Sequence, residues 1–286
     1  MKKVMVALVT PFDLHNKVDF KALGQIVRRL IKEGVDGFIV CGTTAETPTL
    51  THNEKMAILR YVIEISKQRV EIWFGCGTND THGTIQACIE AEKEAIDGVL
   101  LVSPYYNRPN DEGVFAHYDK IAESIHTNIM LYNVPGRTGI HLNYDVIKRL
   151  IEKHDNIVSL KQASSDLETV RLLKQHYPDF LIYSGEDAYF DEGFEAGMDG
   201  LISVMGHVGL LELKEFITQE DVSHKKWKQL KELAALTFCD SSPAPIKYML
   251  SLRNECRNIV RLPLVPIQID NQKRIQEFID KKQQSS

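Results

Sequence analysis

Apolar residues gather along this chain in short runs: Val4–Val9, Gly37–Val40, Glu71–Gly75, Gly98–Val102, Asn128–Tyr132, Ile157–Leu160, Phe180–Tyr183 and Gly200–Val204. The runs are rich in β-branched residues and nearly continuous rather than alternating, which is the pattern of strands buried on both faces in a parallel sheet. Between them the spacing changes to three and four. Phe20, Leu23, Ile26, Val27, Leu30 and Ile31 share one helical face behind a capping Asp19. Thr51 with Glu54, and Ser165 with Glu168, read as capping boxes; Gly34 and Gly197 each follow a helical stretch, where a left-handed residue is wanted. Strand and helix alternate through all eight runs, and right-handed crossovers of this kind close into a (β/α)8 barrel. An open doubly wound sheet would place a GxGxxG turn after the first strand, but Thr10-Pro11-Phe12 stands there. The alternation stops near Gln219, and His224–Phe238, Pro243–Glu255 and Asn271–Lys282 are helical patterns only. The expected organisation is an α/β TIM barrel over residues 1–222 and a C-terminal helical region over residues 223–286. The apolar faces of those last helices (Leu230, Leu233, Ala234 and Leu236; Ile246, Met249, Leu250 and Leu252) need cover from the barrel or from another subunit. The polar tail Lys281–Ser286 is expected to fray.

The length of 286 residues suits a single barrel, which commonly takes about 250. The chain is 43% hydrophobic and 26% charged, enough apolar surface for a large core. A formal net charge of −5 argues against nucleic acid or an anionic membrane as partner, since both need a basic face. No apolar run approaches the roughly 18 residues of a membrane span. The N-terminal Lys2-Lys3 and Val4–Val9 lack the length and the cleavage pattern of a secretory leader. Cys41, Cys76, Cys88, Cys239 and Cys256 show no CxxC spacing, and the histidines show no HExxH or HxH. Reduced thiols, a cytoplasmic location and no metal are therefore expected.

In a barrel the C-terminal strand ends and the loops after them form the active face. The second strand leads into Gly42-Thr43-Thr44-Ala45-Glu46, the fourth into Ser103-Pro104-Tyr105-Tyr106-Asn107, and the fifth into Tyr132-Asn133-Val134-Pro135-Gly136-Arg137-Thr138-Gly139. The sixth gives Lys161, the seventh Ser184-Gly185-Glu186-Asp187, and the eighth Ser203-Val204-Met205-Gly206-His207. Lys161 with Tyr132 one strand away is the constellation that carries chemistry. Enclosure disfavours an ammonium and frees an amine to attack a ketone; the protonated imine that results is an electron sink. The hydroxyls and amides of Thr43 and Thr44 suit a carboxylate, although a plain turn has the same sequence. Arg137, in a loop stiffened by Pro135, suits bidentate carboxylate binding, with a surface ion pair as its duller reading. Tyr105 and Tyr106 fit packing or an interface equally well.

Taken together, Gly-Thr-Thr-x-Glu, Tyr105-Tyr106-Asn107-Arg108-Pro109, Tyr132–Gly139 and the Lys161 strand resemble the pyruvate-dependent class I aldolases of the dihydrodipicolinate synthase and N-acetylneuraminate lyase group. The similarity runs from Val6-Ala7-Leu8-Val9-Thr10-Pro11-Phe12 to Arg261-Leu262-Pro263-Leu264-Val265-Pro266, almost the whole chain. The resemblance implies a lyase of lysine and diaminopimelate biosynthesis that condenses pyruvate with L-aspartate 4-semialdehyde. No cofactor is implied beyond a Schiff base on Lys161. Tyr132 would transfer protons, linked by Thr43 to Tyr106, which in the family reaches the neighbouring subunit's site. Thr43 and Thr44 would hold the pyruvate carboxylate and Arg137 that of the semialdehyde, with Gly185 and Ile202 lining the pocket through backbone groups. A homo-oligomer is implied, a tetramer built as a dimer of dimers.

Some positions depart from the family pattern. Ala45 stands where glycine is usual, so a positive φ there would add strain. Gln162 replaces a frequent glutamate, and Ser242-Pro243-Ala244-Pro245 a more common Asn-Pro-x-Pro. Lysine-inhibited members carry a histidine and an acid where this chain has Lys55 and Gly83, although His52, Asn79 and Tyr105 are kept. An added cation and a missing carboxylate predict weak or absent inhibition by L-lysine in an initial-rate assay. The rival readings are N-acetylneuraminate lyase or a 2-keto-3-deoxy sugar acid aldolase, against which Arg137 speaks, and a catalytically silent barrel serving as a sensor.

Overall fold

The computed structural model describes residues 2–218 and 224–283. Its strands are β1 (Lys3–Ala7), β2 (Gly37–Val40), β3 (Glu71–Gly75), β4 (Gly98–Val102), β5 (Asn128–Asn133), β6 (Ile157–Gln162), β7 (Leu181–Ser184) and β8 (Gly200–Ser203). They form a closed barrel in chain order, the (β/α)8 fold expected from the apolar runs. The helices are α1 (Phe20–Lys32), α2 (His52–Ser66), α3 (Thr81–Ala91), α4 (Asp111–Ser124), α5 (Pro135–Thr138), α6 (Tyr144–Lys153), α7 (Leu167–His176), α8 (Phe190–Glu195), α9 (Gly206–Thr218), α10 (His224–Thr237), α11 (Ala244–Leu252) and α12 (Ile269–Gln283). No helix among the described residues is long and apolar enough to cross a membrane.

By packing, the chain divides into two compact units: residues 1–3 with 71–202, and residues 4–70 with 203–286. The domain division expected at residues 222 and 223 falls outside the described residues. So does the end of the polar tail, Gln284–Ser286.

In the first unit, β3 to β7 pair in parallel, with Tyr132 opposite Lys161 and Lys161 opposite Tyr183. In the second, β1 pairs with β2, and α9 to α12 pack on one another. The apolar faces of α10 and α11 are covered there: Leu230, Leu233, Ala234, Leu236, Ile246, Met249 and Leu250 are buried, and only Leu252 is exposed.

A repeated clasp closes the N-terminal ends of three strand pairs. The Asp36 carboxylate accepts from Val4 N (2.6 Å) while Asp36 N donates to Val4 O (2.9 Å). Asp97 does the same to Ile72 (2.7 and 2.9 Å), and Asp199 to Ile182 (2.8 and 2.7 Å). Each aspartate satisfies a backbone pair that the ladder alone would leave unpaired at its start.

The caps follow the sequence with one exception. Asp19 accepts from Ala22 N, and Thr51 and Glu54 form a full capping box. Gly34 and Gly197 take the left-handed φ of 87° and 103° that a side chain resists. The box expected from Ser165 and Glu168 does not form. Asp166 is the N-cap of α7 instead, its carboxylate accepting from Thr169 N.

Candidate active site

Lys161 sits near the end of β6, only 6% exposed, between Tyr132 on β5 and Tyr183 on β7 in the strand register. Its Nζ lies 4.5 Å from the centroid of the Tyr132 ring. Neither Lys161 Nζ nor the Tyr132 hydroxyl has a hydrogen-bond or ion-pair partner among the described residues. The amine therefore rests on a π face, with no carboxylate clamping it.

Gly185 explains part of that enclosure. A Cβ built on it would come within 2.9 Å of Lys161 Cε and 2.8 Å of Ala163 Cβ, so only glycine lets the β7 end approach the lysine stem. Gly185 N donates to Gln162 O (2.8 Å). Next to it stands Glu186, which the sequence reading passed over. Its half-buried carboxyl is pushed above its ordinary range by burial, against the pull of Lys161, and raised further by Asp187 while Arg137 lowers it. Both cationic groups of this rim thus act on Glu186 electrostatically.

Arg137 lies on α5 after Pro135 and is exposed. It makes no ion pair among the described residues. The loop carrying Arg137 is tied to the tyrosine loop by Arg108 Nε, which donates to Gly139 O (3.1 Å). Tyr106, at φ 74°, is 89% exposed. It makes no hydrogen bond or ring contact among the described residues. Ile202 is buried within β8.

Gln162 is buried with every polar atom used. Its Nε2 donates to Ser164 Oγ (3.0 Å) and Asp166 O (3.1 Å), and its Oε1 accepts from Asn133 Nδ2 (2.9 Å). A glutamate would leave the Asp166 carbonyl without a donor, which accounts for this departure.

In the second unit, Thr43-Thr44-Ala45 forms a 3-10 turn directly after β2. Ala45 carries no positive φ; the left-handed residue is its neighbour Glu46, at φ 57°. The methyl of Ala45 is thus unstrained. The hydroxyls of Thr43 and Thr44 have no partner among the described residues, leaving them available to an anion. His207 is structural. It is fully buried, its Nε2 accepts from Val9 N (3.2 Å), its Nδ1–H donates to Val204 O (2.8 Å), and burial pushes its pKa down to about 4. Among the described residues no group of His, Cys, Asp or Glu could hold a metal ion.

The sequence profile of the dihydrodipicolinate synthetase family matches residues 1–282. The 4-hydroxy-tetrahydrodipicolinate synthase of Oceanobacillus iheyensis is 38% identical over 97% of this chain and 96% of its own. A dihydrodipicolinate synthase of Bacillus anthracis superposes with a TM-score of 0.93 at 35% identity, covering 98% of this chain and 97% of its own. The chloride-inhibited enzyme of Acinetobacter baumannii, solved in complex with pyruvate, gives 0.92 at 32% identity, with 98% of both chains covered.

Proposed function

The chain belongs to the dihydrodipicolinate synthetase family, and from that premise we propose that it catalyses the 4-hydroxy-tetrahydrodipicolinate synthase reaction. It is an enzyme, a carbon–oxygen lyase by classification that uses class I aldolase chemistry. The substrates are pyruvate and L-aspartate 4-semialdehyde, and the product lies on the route to diaminopimelate and lysine. The observation that carries this reading is Lys161, a buried amine on an aromatic face with no counter-ion fixed to it.

Lys161 adds to C2 of pyruvate and water leaves, forming the protonated imine. A methyl proton is then lost, and the electron pair of that C–H bond becomes an enamine. The enamine carbon attacks the aldehyde, whose oxygen takes a proton. The substrate's amino group next adds to the imine carbon and displaces Lys161, closing the ring and returning the amine. Tyr132 transfers the protons, for which hydrogen-bond reach matters more than a shifted pKa. Thr43 and Tyr106, the latter from a second copy, belong to the same proton relay. Thr43 and Thr44 receive the pyruvate carboxylate, and Arg137 the carboxylate of the semialdehyde, where its lack of an ion pair supports the role. Gly185 and Ile202 offer backbone groups to the pocket. The covalent intermediate needs no further cofactor.

Tyr106, exposed and held at a positive φ, is the group by which a second copy would be completed. The assembly proposed is a homo-oligomer, a tetramer as a dimer of dimers, working in the cytoplasm. Sedimentation equilibrium tests the assembly, with a monomer as the outcome against it. The chemistry is tested by borohydride reduction with pyruvate and peptide mass analysis. The expected result is one pyruvate-derived adduct on Lys161; its absence would favour a silent barrel. Faster turnover of sugar acids than of the semialdehyde would place the chain with the neuraminate lyases instead.

A further inference from the structure

Glu46 follows the Thr43-Thr44-Ala45 turn, and the mechanism above gives it nothing to do. Its side chain is completely buried, as is that of Lys247 on α11, and Lys247 Nζ donates to Glu46 Oε1 at 2.5 Å. The other carboxylate oxygen, Oε2, accepts from Arg261 N at 2.7 Å. Lys247 Nζ also donates to Ile259 O (2.7 Å) and lies 4.2 Å from the centroid of the Phe12 ring. Glu46 is bound into the turn by its backbone as well. Its N donates to Thr43 O (3.1 Å), and its O accepts from Thr49 N (2.8 Å) and Thr49 Oγ1 (2.9 Å).

A buried ion pair is a poor way to gain stability, because desolvation offsets most of its attraction. This one also holds a glutamate at φ 57°, where a side chain is disfavoured. What the arrangement does achieve is orientation. Two charge-assisted hydrogen bonds fix both carboxylate oxygens against two separate segments, α11 and residues 259–261. The residue so fixed ends the turn that presents Thr43 and Thr44, whose hydroxyls have no other partner to orient them.

We propose that Glu46 and Lys247 are positioning residues, a buried ion pair that holds the turn from Gly42 to Glu46 in the one shape that offers Thr43 and Thr44 to the carboxylate of the keto acid. The inference rests on the assignment of Thr43 and Thr44 to that carboxylate. It predicts a defect confined to one substrate. In Glu46→Gln/Lys247→Met both charges go and the volume is kept, so folding survives while the turn loses its clamp. The KM for pyruvate rises by about ten-fold or more, while kcat and the KM for the semialdehyde stay within about three-fold of the parent. At saturating pyruvate the borohydride adduct on Lys161 still forms. Glu46→Asp keeps the charge but withdraws it by one methylene, and gives the same selective defect in smaller measure.

The kinetics are read on whichever of these variants retains the parent's circular dichroism and melting transition. A folded variant with a pyruvate KM within about two-fold of the parent overturns the proposal. So does an equal rise for both substrates, since a merely structural pair would act that way. Thr44→Val separates the premise from the inference. If its pyruvate KM is unchanged, the carboxylate assignment fails; if it rises while the Glu46 variants stay normal, only the positioning role fails.

Discussion

Two lysines are buried among the described residues, and their surroundings differ in one respect. Lys161 and Lys247 each lie over an aromatic ring, at 4.5 Å from Tyr132 and 4.2 Å from Phe12. Lys247 is held by a carboxylate and a carbonyl, Lys161 by neither. The acid that Lys161 does feel, Glu186, is pushed by burial toward its neutral form. Burial also pushes the Lys247 ammonium down, and Glu46 offsets only part of that. An amine that must lose its proton and form a covalent bond is left without a clamp, whereas an amine that must orient a turn is locked in place. Burial alone does not separate catalysis from architecture; the counter-ion does.

The contrast breaks most sharply by substitution of the lysines. Lys161→Ala should leave the fold intact and lower kcat by roughly ten-thousand-fold, because no neighbouring amine replaces the nucleophile. Steady-state assay and a melting curve on the same sample check it; turnover within ten-fold of the parent would falsify the covalent route. Lys247→Met should do the opposite. It strands the Glu46 carboxylate, and urea unfolding should show a loss of about 3–5 kcal/mol, with the Lys161 adduct still formed by the molecules that remain folded.

The barrel and the Lys161 rim were legible because both are local patterns. Continuous β-branched runs mark strands buried on both faces, and the residues just past each run must lie on one face of the closed barrel. Lys161, Tyr132 and Gly185 could therefore be placed from their offsets alone. The Glu46–Lys247 pair was not legible, although Glu46 stood in a motif and Lys247 in the apolar Pro245–Leu250 stretch. Its partners are about two hundred residues apart in sequence, and periodicity carries no information on such contacts. A lysine on an apolar helical face was the available signal, since Lys is almost never fully buried unless paired. The cap of α7 went wrong for a smaller reason: Ser165 and Asp166 are adjacent capping residues, and only the backbone trajectory chooses between them.

A smaller perturbation probes the Lys161 side without removing the amine. Gly185→Ala would bring a methyl carbon within 2.9 Å of Lys161 Cε and 2.8 Å of Ala163 Cβ, closer than real contacts allow. Something must shift, and the lysine stem is the more flexible neighbour. A displaced nucleophile should cost about ten- to a hundred-fold in kcat/KM for pyruvate, with only a modest fall in melting temperature. If the melting temperature collapses and the remaining folded enzyme has parental kcat/KM, the glycine serves packing rather than the site.

The Phe12 ring supplies a final comparison, because two cations share it. Lys247 Nζ lies 4.2 Å and the Arg261 guanidinium 4.3 Å from its centroid. Lys247 and Glu46 are completely buried, while Arg261 and Glu54 keep 15% and 23% of their side-chain surface in water. The hydrogen bond from Arg261 holds the Glu54 carboxyl down at about 2, below its ordinary 4.5. A depressed carboxylate contributes its stability in full above its unfolded pKa and loses it as pH falls through the folded one. The Glu54 contribution should therefore be complete above pH 4.5 and fade toward pH 2. Water screens this pair, so Glu54→Gln should cost less than about 1 kcal/mol at neutral pH, well below the loss for Lys247→Met. Urea unfolding of the parent and Glu54→Gln at neutral pH and again near pH 3 should show their difference shrinking. A difference that grows on acidification would reverse the sign of the linkage. One as large as that of Lys247→Met would mean that exclusion of water is not what makes the Glu46 pair the stiffer of the two.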